Sequence, residues 1–245
     1  MNARPYTSAS KQGVSIITCT NRQSYLRNLF QNYSRQRYAK KELIIIINNN
    51  KIPILPYKNL AKKYKNIKIF RKPEHHSLGA CLNFAVKKCK YNFIAKFDDD
   101  DYYAPHYLLD SIKTFRRTSA DIIGKRAHYM YLRGPKKLIL RFPQDEHRSV
   151  TYLPGATLVF KRKVFHRVKF PNRSVGEDDL FCLRGKRKGL KVYSGSKNNF
   201  VAIRRKNSLK HTWIISDKTL LASHKIIRNI KNYRRFVGRS SKSKL

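Results

Sequence analysis

At 245 residues, with 41% apolar and 12% aromatic content, the chain carries enough hydrophobic material for one substantial core, which excludes a disordered protein and points to one domain with short tails. Fifty-five Lys and Arg against fourteen Asp and Glu give a formal charge of +41, so a polyanionic partner or surface is expected: nucleic acid, anionic lipid headgroups or an acidic glycopolymer. No apolar run reaches the length of a membrane span, residues 1–13 lack the apolar segment of a secretory signal, and Cys19, Cys81, Cys89 and Cys182 have neither CxxC nor zinc-type spacing; together these read as a cytosolic protein with reduced thiols, with room for peripheral contact at the inner face of a membrane.

In chain order, residues 1–13 are expected to form a flexible tail, and residues 14–19 are a nearly continuous apolar run, the pattern of a strand buried on both faces. Leu26, Phe30 and Tyr33 recur at helical spacing. Residues 42–47 make a second buried strand and residues 67–70 a weaker third, and Leu82, Ala85, Val86 and Cys89 mark a helix leading into a fourth strand at residues 93–97. Strand and helix alternate four times within these residues, which predicts an α/β domain with a mostly parallel central sheet flanked by helices. Ligands in such sheets bind beyond the carboxyl ends of the strands, here Thr20 to Arg22, Asn48 to Asn50, and the four carboxylates Asp98, Asp99, Asp100 and Asp101. Neither a G-x-G-x-x-G after the first strand nor a P-loop motif is present, which argues against a dinucleotide oxidoreductase or a P-loop NTPase.

Beyond the acidic run, a helix is expected from Pro105 through Phe115, a turn at Gly134-Pro135, a strand at residues 156–160, a helix from Gly176 towards Gly189, and late strands at residues 191–193 and 200–203. The body of the fold spans residues 14–215. In residues 216–245 the apolar positions Ala222, Ile226, Ile230, Tyr233 and Val237 predict one basic amphipathic helix followed by a fraying tail.

Half of the chain's carboxylates fall in two clusters, residues 98–101 and 177–179. Adjacent carboxylates repel by roughly 4 kcal/mol at 4 Å and an effective dielectric of about 20, so the first cluster calls for a cation. If it continues a strand, Asp98 and Asp100 point one way and Asp99 and Asp101 the other, which lets Asp98 and Asp100 serve one Mg2+ or Mn2+. The second cluster lies at a helix start, where acidic residues also favour the helix dipole. Arg204, Arg205 and Lys206 are candidate phosphate ligands.

Taken together, Val14 to Arg22, Asn48, Gly79 with Asn83, Asp98 with Asp100, and Glu177 with Asp178 resemble the family 2 glycosyltransferases of GT-A, Rossmann-like fold across residues 14–215. Residues 47–50, 95–105 and 203–208, with residues 211–213, look more narrowly like spore-maturation CgeD-type members. The resemblance implies sugar transfer from a UDP, dTDP or GDP donor to a hydroxyl of a glycan or polymer acceptor, with inversion. It implies nucleotide contacts from Thr20, Arg22, Asn48, Asn83, Asp98, Arg204 and Arg205. A divalent ion on Asp98 and Asp100 with His211, and a general base at Asp178 with Glu177 beside it, complete the implied set. The positive charge suggests an anionic acceptor on a cell wall, spore coat or lipid carrier. Three rival readings remain: a basic nucleic-acid-binding protein, which gives the acidic clusters no role, a metal-dependent nucleotidyltransferase, which gives the second cluster none, and a catalytically inert member that still binds nucleotide.

Overall fold

In the computed structural model, which describes residues 12–206 and 214–238, the two apolar runs at the start of the chain are neighbouring strands. β1 (Val14–Thr20) and β2 (Lys41–Ile47) pair in parallel, with Ile16 opposite Leu43 and Thr20 opposite Ile47; β3 (Ile67–Arg71) and β4 (Phe93–Lys96) extend the parallel pairing on either side. β1 and β2 are covered on both faces, which is why they read as near-continuous apolar runs, whereas the edge strand β3 is only partly buried and carries exposed Lys68 and Arg71. α1 (Leu26–Ser34), α2 (Leu55–Ala61) and α4 (Tyr107–Arg117) bury Leu29, Phe30, Tyr57 and Tyr107 against one face. α3 (Leu78–Lys88) and α6 (Glu177–Arg187) bury Leu82, Val86 and Phe181 against the other, beside the short α5 (Val164–Arg167).

Past β4 the sheet turns mixed. β10 (Val159–Lys161) runs antiparallel between β4 and β6 (Ile122–Gly124), then β11 (Val192–Ser194) lies parallel to β6, and β9 (Arg148–Ser149) closes the edge. The strand expected at residues 156–160 begins later because Gly155–Thr157 forms a single tight helical turn.

A second, five-stranded sheet includes the strand expected at residues 200–203 but was not expected as a sheet. Its order is β13 (Lys225–Ile227), β8 (Lys137–Arg141), β7 (His128–Leu132), β12 (Phe200–Arg204) and β5 (Tyr102–Tyr103), with Gly134-Pro135 in the hairpin between β7 and β8. Residues 216–238 differ from the expected single amphipathic helix: they form α7 (Asp217–Ser223), β13, and α8 (Tyr233–Val237). The free edge of β8 recruits Ile226 opposite Ile139 into the ladder, Asn229 turns the chain at a φ of 57°, and Asn232 caps the second helix by accepting from Arg235 N at 3.1 Å. The apolar stripe is thereby divided: Leu220 and Leu221 cover the Met130 and Ile139 face of the sheet, while Tyr233, Phe236 and Val237 cover the Tyr129 and Leu138 face.

Candidate active site

β1, β2 and β4 end side by side, and the turns that follow them share one crevice of about 550 Å3. It gathers Thr20, Arg22, Asn48, Asp98 and Asp100 from the first sheet, with Arg204 and Arg205 from the end of β12. Seven of the positions singled out in the sequence are therefore brought together by the adjacency of strand ends.

The acidic turn is held in a definite orientation. Asp99 is buried, with its carboxylate accepting from Thr20 Oγ1 at 2.6 Å and from the Arg22 guanidinium. Asp101 is also buried and accepts from Ile203 N at 2.8 Å, tying the turn to β12. Asn28 and Asn32, one helical turn apart on α1, donate to the backbone carbonyls of Asp99 and Asp101 at 2.7 to 3.0 Å. Tyr103 OH accepts from Asp98 N at 2.8 Å and donates to Ala156 O at 2.6 Å. Asp98 and Asp100 remain the more accessible pair, at 38% and 16% exposure against 3% for Asp99. The alternation expected of the run thus survives, although β4 itself stops at Lys96. Burial, then the Asp100 charge, pushes the Asp99 carboxyl up to about 6 despite Arg22 and Thr20.

Lys96 is the residue the sequence reading missed. Its side chain is 4% exposed and its Nζ donates to Asp98 Oδ1 at 2.6 Å. Burial opposes its charge, but Asp98, Glu177 and Asp178 overcome that and hold the ammonium above the ordinary lysine range. The α6 start is thus joined electrostatically to the acidic turn. Glu177 is buried, and burial pushes its carboxyl up to about 7 against the pull of Lys96. Asp178 Oδ2 accepts from Gly155 N at 2.6 Å, and a side chain at residue 155 would collide with that carboxylate. Neither Glu177 nor Asp178 lines the crevice itself; the buried Lys96 ammonium is attracted by both and by Asp98, whose carboxylate does line it. A lone lysine inside an apolar strand followed by acid was the available signal.

Of the expected ligands, Asn83 is corrected by the structure. Asn83 does not reach the crevice: its amide donates to Phe170 O at 2.8 Å and accepts from Phe170 N at 3.0 Å, so both ends are engaged by the loop before α6. Gly79, one turn earlier, lets Pro171 O approach to 1.8 Å of where a Cβ would stand. The Gly-x-x-x-Asn spacing here fastens α3 to that loop. His211 lies outside the described residues. Arg204 is buried and donates through Nε to Asp217 Oδ1 at 3.0 Å and through Nη2 to Ile215 O.

Asn48 donates through Nδ2 to Pro73 O at 2.7 Å, a contact that fixes the amide and leaves Oδ1 as its acceptor. The acid pair also fits a hard divalent ion. Lys96 contacts Asp98 Oδ1 and Arg22 contacts Asp100 Oδ2 at 2.9 Å, so each carboxylate keeps a second oxygen. Among the described residues no group of three His, Cys, Asp or Glu side chains forms a metal cage. The four cysteines are free thiols, and no helix among the described residues is long and apolar enough to cross a membrane.

Residues 15–172 match the family model described as Glycosyl transferase family 2. The O-antigen biosynthesis glycosyltransferase WbnJ of Escherichia coli is 27% identical over 160 residues, covering 62% of this chain and 62% of that protein. S. aureus TarS 1–349 in complex with UDP-GlcNAc superposes with a TM-score of 0.64 at 20% identity, covering 80% of this chain and 60% of that one. Mannosyltransferase PcManGT from Pyrobaculum calidifontis, in complex with GDP-Man and Mn2+, superposes with a TM-score of 0.60 at 16% identity, covering 82% and 60%. At these identities the structural likeness establishes the fold. The chain spans 60 to 62% of the length of these three relatives.

Proposed function

The chain belongs to glycosyl transferase family 2, and from that premise we propose that the crevice binds a nucleoside-diphosphate sugar and passes the sugar, with inversion, to an acceptor hydroxyl. The observation that carries this reading is the division of labour in the acidic turn: Asp99 and Asp101 are pinned to protein partners, while Asp98 and Asp100 each keep an oxygen at the junction of three strand ends. Those two carboxylates would hold Mn2+ or Mg2+, which neutralises charge on the departing diphosphate. Arg204 and Arg205 are assigned to the phosphates, Thr20 and Arg22 to the nucleotide, and His211 to the ion beside Asp98 and Asp100. Asn48 Oδ1 offers an acceptor to a ring N–H, which uracil, thymine and guanine possess and cytosine and adenine lack; this supports UDP, dTDP or GDP.

In the transfer, the acceptor oxygen bonds to the anomeric carbon as the bond from that carbon to the diphosphate oxygen breaks, and the acceptor proton passes to a carboxylate. Asp178 is the assigned base, oriented by Gly155 N–H, with Glu177 as its buried neighbour. The net charge supports an anionic acceptor, such as a cell-wall, spore-coat or lipid-linked glycan; the narrower likeness to spore-maturation proteins rests on residues 47–50, 95–105 and 203–208.

The test is calorimetric titration of UDP, dTDP and GDP with and without Mn2+, beside Asp100→Asn. Metal-dependent binding of one nucleotide, weakened at least tenfold in the variant, is expected. Binding of RNA or DNA with no response to any of the three nucleotides overturns the reading.

A further inference from the structure

The second sheet carries a groove that the transfer chemistry does not use. It measures about 530 Å3 and runs between the β7–β8 hairpin and the chain after β13, walled by Lys136, Lys137, Arg228 and Lys231 with Tyr131 and Tyr233. All four cations are exposed, and none pairs with a carboxylate among the described residues. None of the fourteen acidic residues lines the groove; the last in the chain, Asp217, is paired with Arg204 and abuts the β7–β8 hairpin at Gly134. Lys136 and Asn229 sit at φ values of 52° and 57°, marking the two turns of the backbone that carry the cationic walls. The floor is apolar: Tyr131 and Tyr233 stack with ring centroids 4.4 Å apart and an interplanar angle of 22°.

We propose that this groove is a docking site for a linear phosphodiester-linked saccharide or polyol chain, the acceptor polymer of the reaction, gripped outside the active site. This rests on the sugar-transfer reading of the crevice for the word acceptor, but the binding claim stands on the groove's own chemistry. Cations on both walls suit phosphates repeating along a chain, and the tyrosine floor suits the C–H faces of the sugar or polyol between them. The two rings stack on each other instead of standing apart as separate platforms for bases, which favours a polyol phosphate over RNA. Position completes the argument. Met130 and Ala202 line the donor crevice, whereas Tyr131, the next residue along β7, faces the groove; successive side chains of a strand point to opposite faces. A polymer seated here leaves the donor site open.

The probe is fluorescently labelled poly(glycerol phosphate), titrated into the full chain over a series of salt concentrations. The variant Lys136→Glu, Arg228→Glu, Lys231→Glu is compared with Lys62→Glu, Lys63→Glu, Lys113→Glu, which changes the net charge equally at exposed positions elsewhere. The groove variant is expected to lose about tenfold or more in affinity and to flatten the salt dependence, while the control stays within about twofold because distant charges are screened at physiological ionic strength. Equal losses in both overturn the proposal in favour of diffuse charge, and an RNA oligonucleotide binding the groove more tightly than the polyol phosphate overturns it in favour of nucleic acid. The corresponding three glutamine substitutions must reproduce the loss in smaller measure, which separates charge from misfolding. Nucleotide binding, measured on the same samples, is expected to be unchanged. Its absence already in the unsubstituted protein would count against the crevice reading alone.

Discussion

Lys96 Nζ lies 2.6 Å from Asp98 Oδ1 with the lysine side chain buried, so one ammonium neutralises the acidic turn from behind while also facing Glu177 and Asp178. A buried cation between carboxylates drawn from two distant segments is a structural joint as well as an electrostatic one. Lys96→Met removes the cation and leaves Glu177 buried without it; the expected cost is about 1–3 kcal/mol, tempered by the exposure of Asp98. Urea unfolding at pH 7 measures it, and Lys96→Arg is expected to recover part of the loss.

Gly155 separates positioning from binding. Its N–H holds Asp178 Oδ2 at 2.6 Å, and a Cβ there would stand 2.6 Å from the same oxygen. Gly155→Ala must therefore displace the assigned base without touching the nucleotide crevice. The expected result is a fall of about 10- to 100-fold in kcat, with nucleotide affinity by calorimetry unchanged.

Glu177 makes stability depend on pH in a definite direction. Burial raises its folded pKa to about 7, above that of the unfolded chain, so the folded state holds the proton more tightly between these values. Its contribution is present below the unfolded carboxylate value and is lost as pH rises through about 7. Asp99, raised to about 6, adds a loss of the same sign at slightly lower pH. Glu177→Gln is expected to flatten the decline between about pH 5 and 7, by roughly 1–3 kcal/mol across the window. Denaturant midpoints of both proteins over that range provide the comparison.

At the acid end His128 acts with the opposite sign. Burial, then the Arg141 charge, lowers its pKa to about 3, so its contribution is present above about 6.5 and is lost as pH falls towards 3. His128→Gln is expected to reduce the acid sensitivity of unfolding below pH 6, read in the same titration.

Asn83 distinguishes the inherited role from the observed one. Its side chain brackets the Phe170 backbone from both sides, so Asn83→Ala should lower stability by about 1–3 kcal/mol. Nucleotide affinity, measured directly, should stay the same; a selective loss of nucleotide binding without loss of stability would restore the ligand role that the motif resemblance implied.

The first sheet and the location of the site were legible in the chain itself because they depend on local pattern. The apolar runs of β1 and β2 state burial on both faces, and the carboxylates at the end of β4 stand out against a basic background. Of the second sheet only β12 was legible: β5 and β13 have two and three residues, too short for alternation to speak, and they exist because an existing edge offers hydrogen bonds. Single roles were decided in the same way. Asp99 and Asp100 are adjacent and chemically identical, yet Thr20, 79 residues away, claims the first and leaves the second with a free oxygen; Asp101 is claimed by the backbone of Ile203, 102 residues on. Residue type and spacing determined which groups are able to bind a cation or a phosphate. Which of them remain available was decided only when the folded chain satisfied its buried polar atoms first, since an unpaired buried group costs about 1–3 kcal/mol and the nearest partner in space takes it.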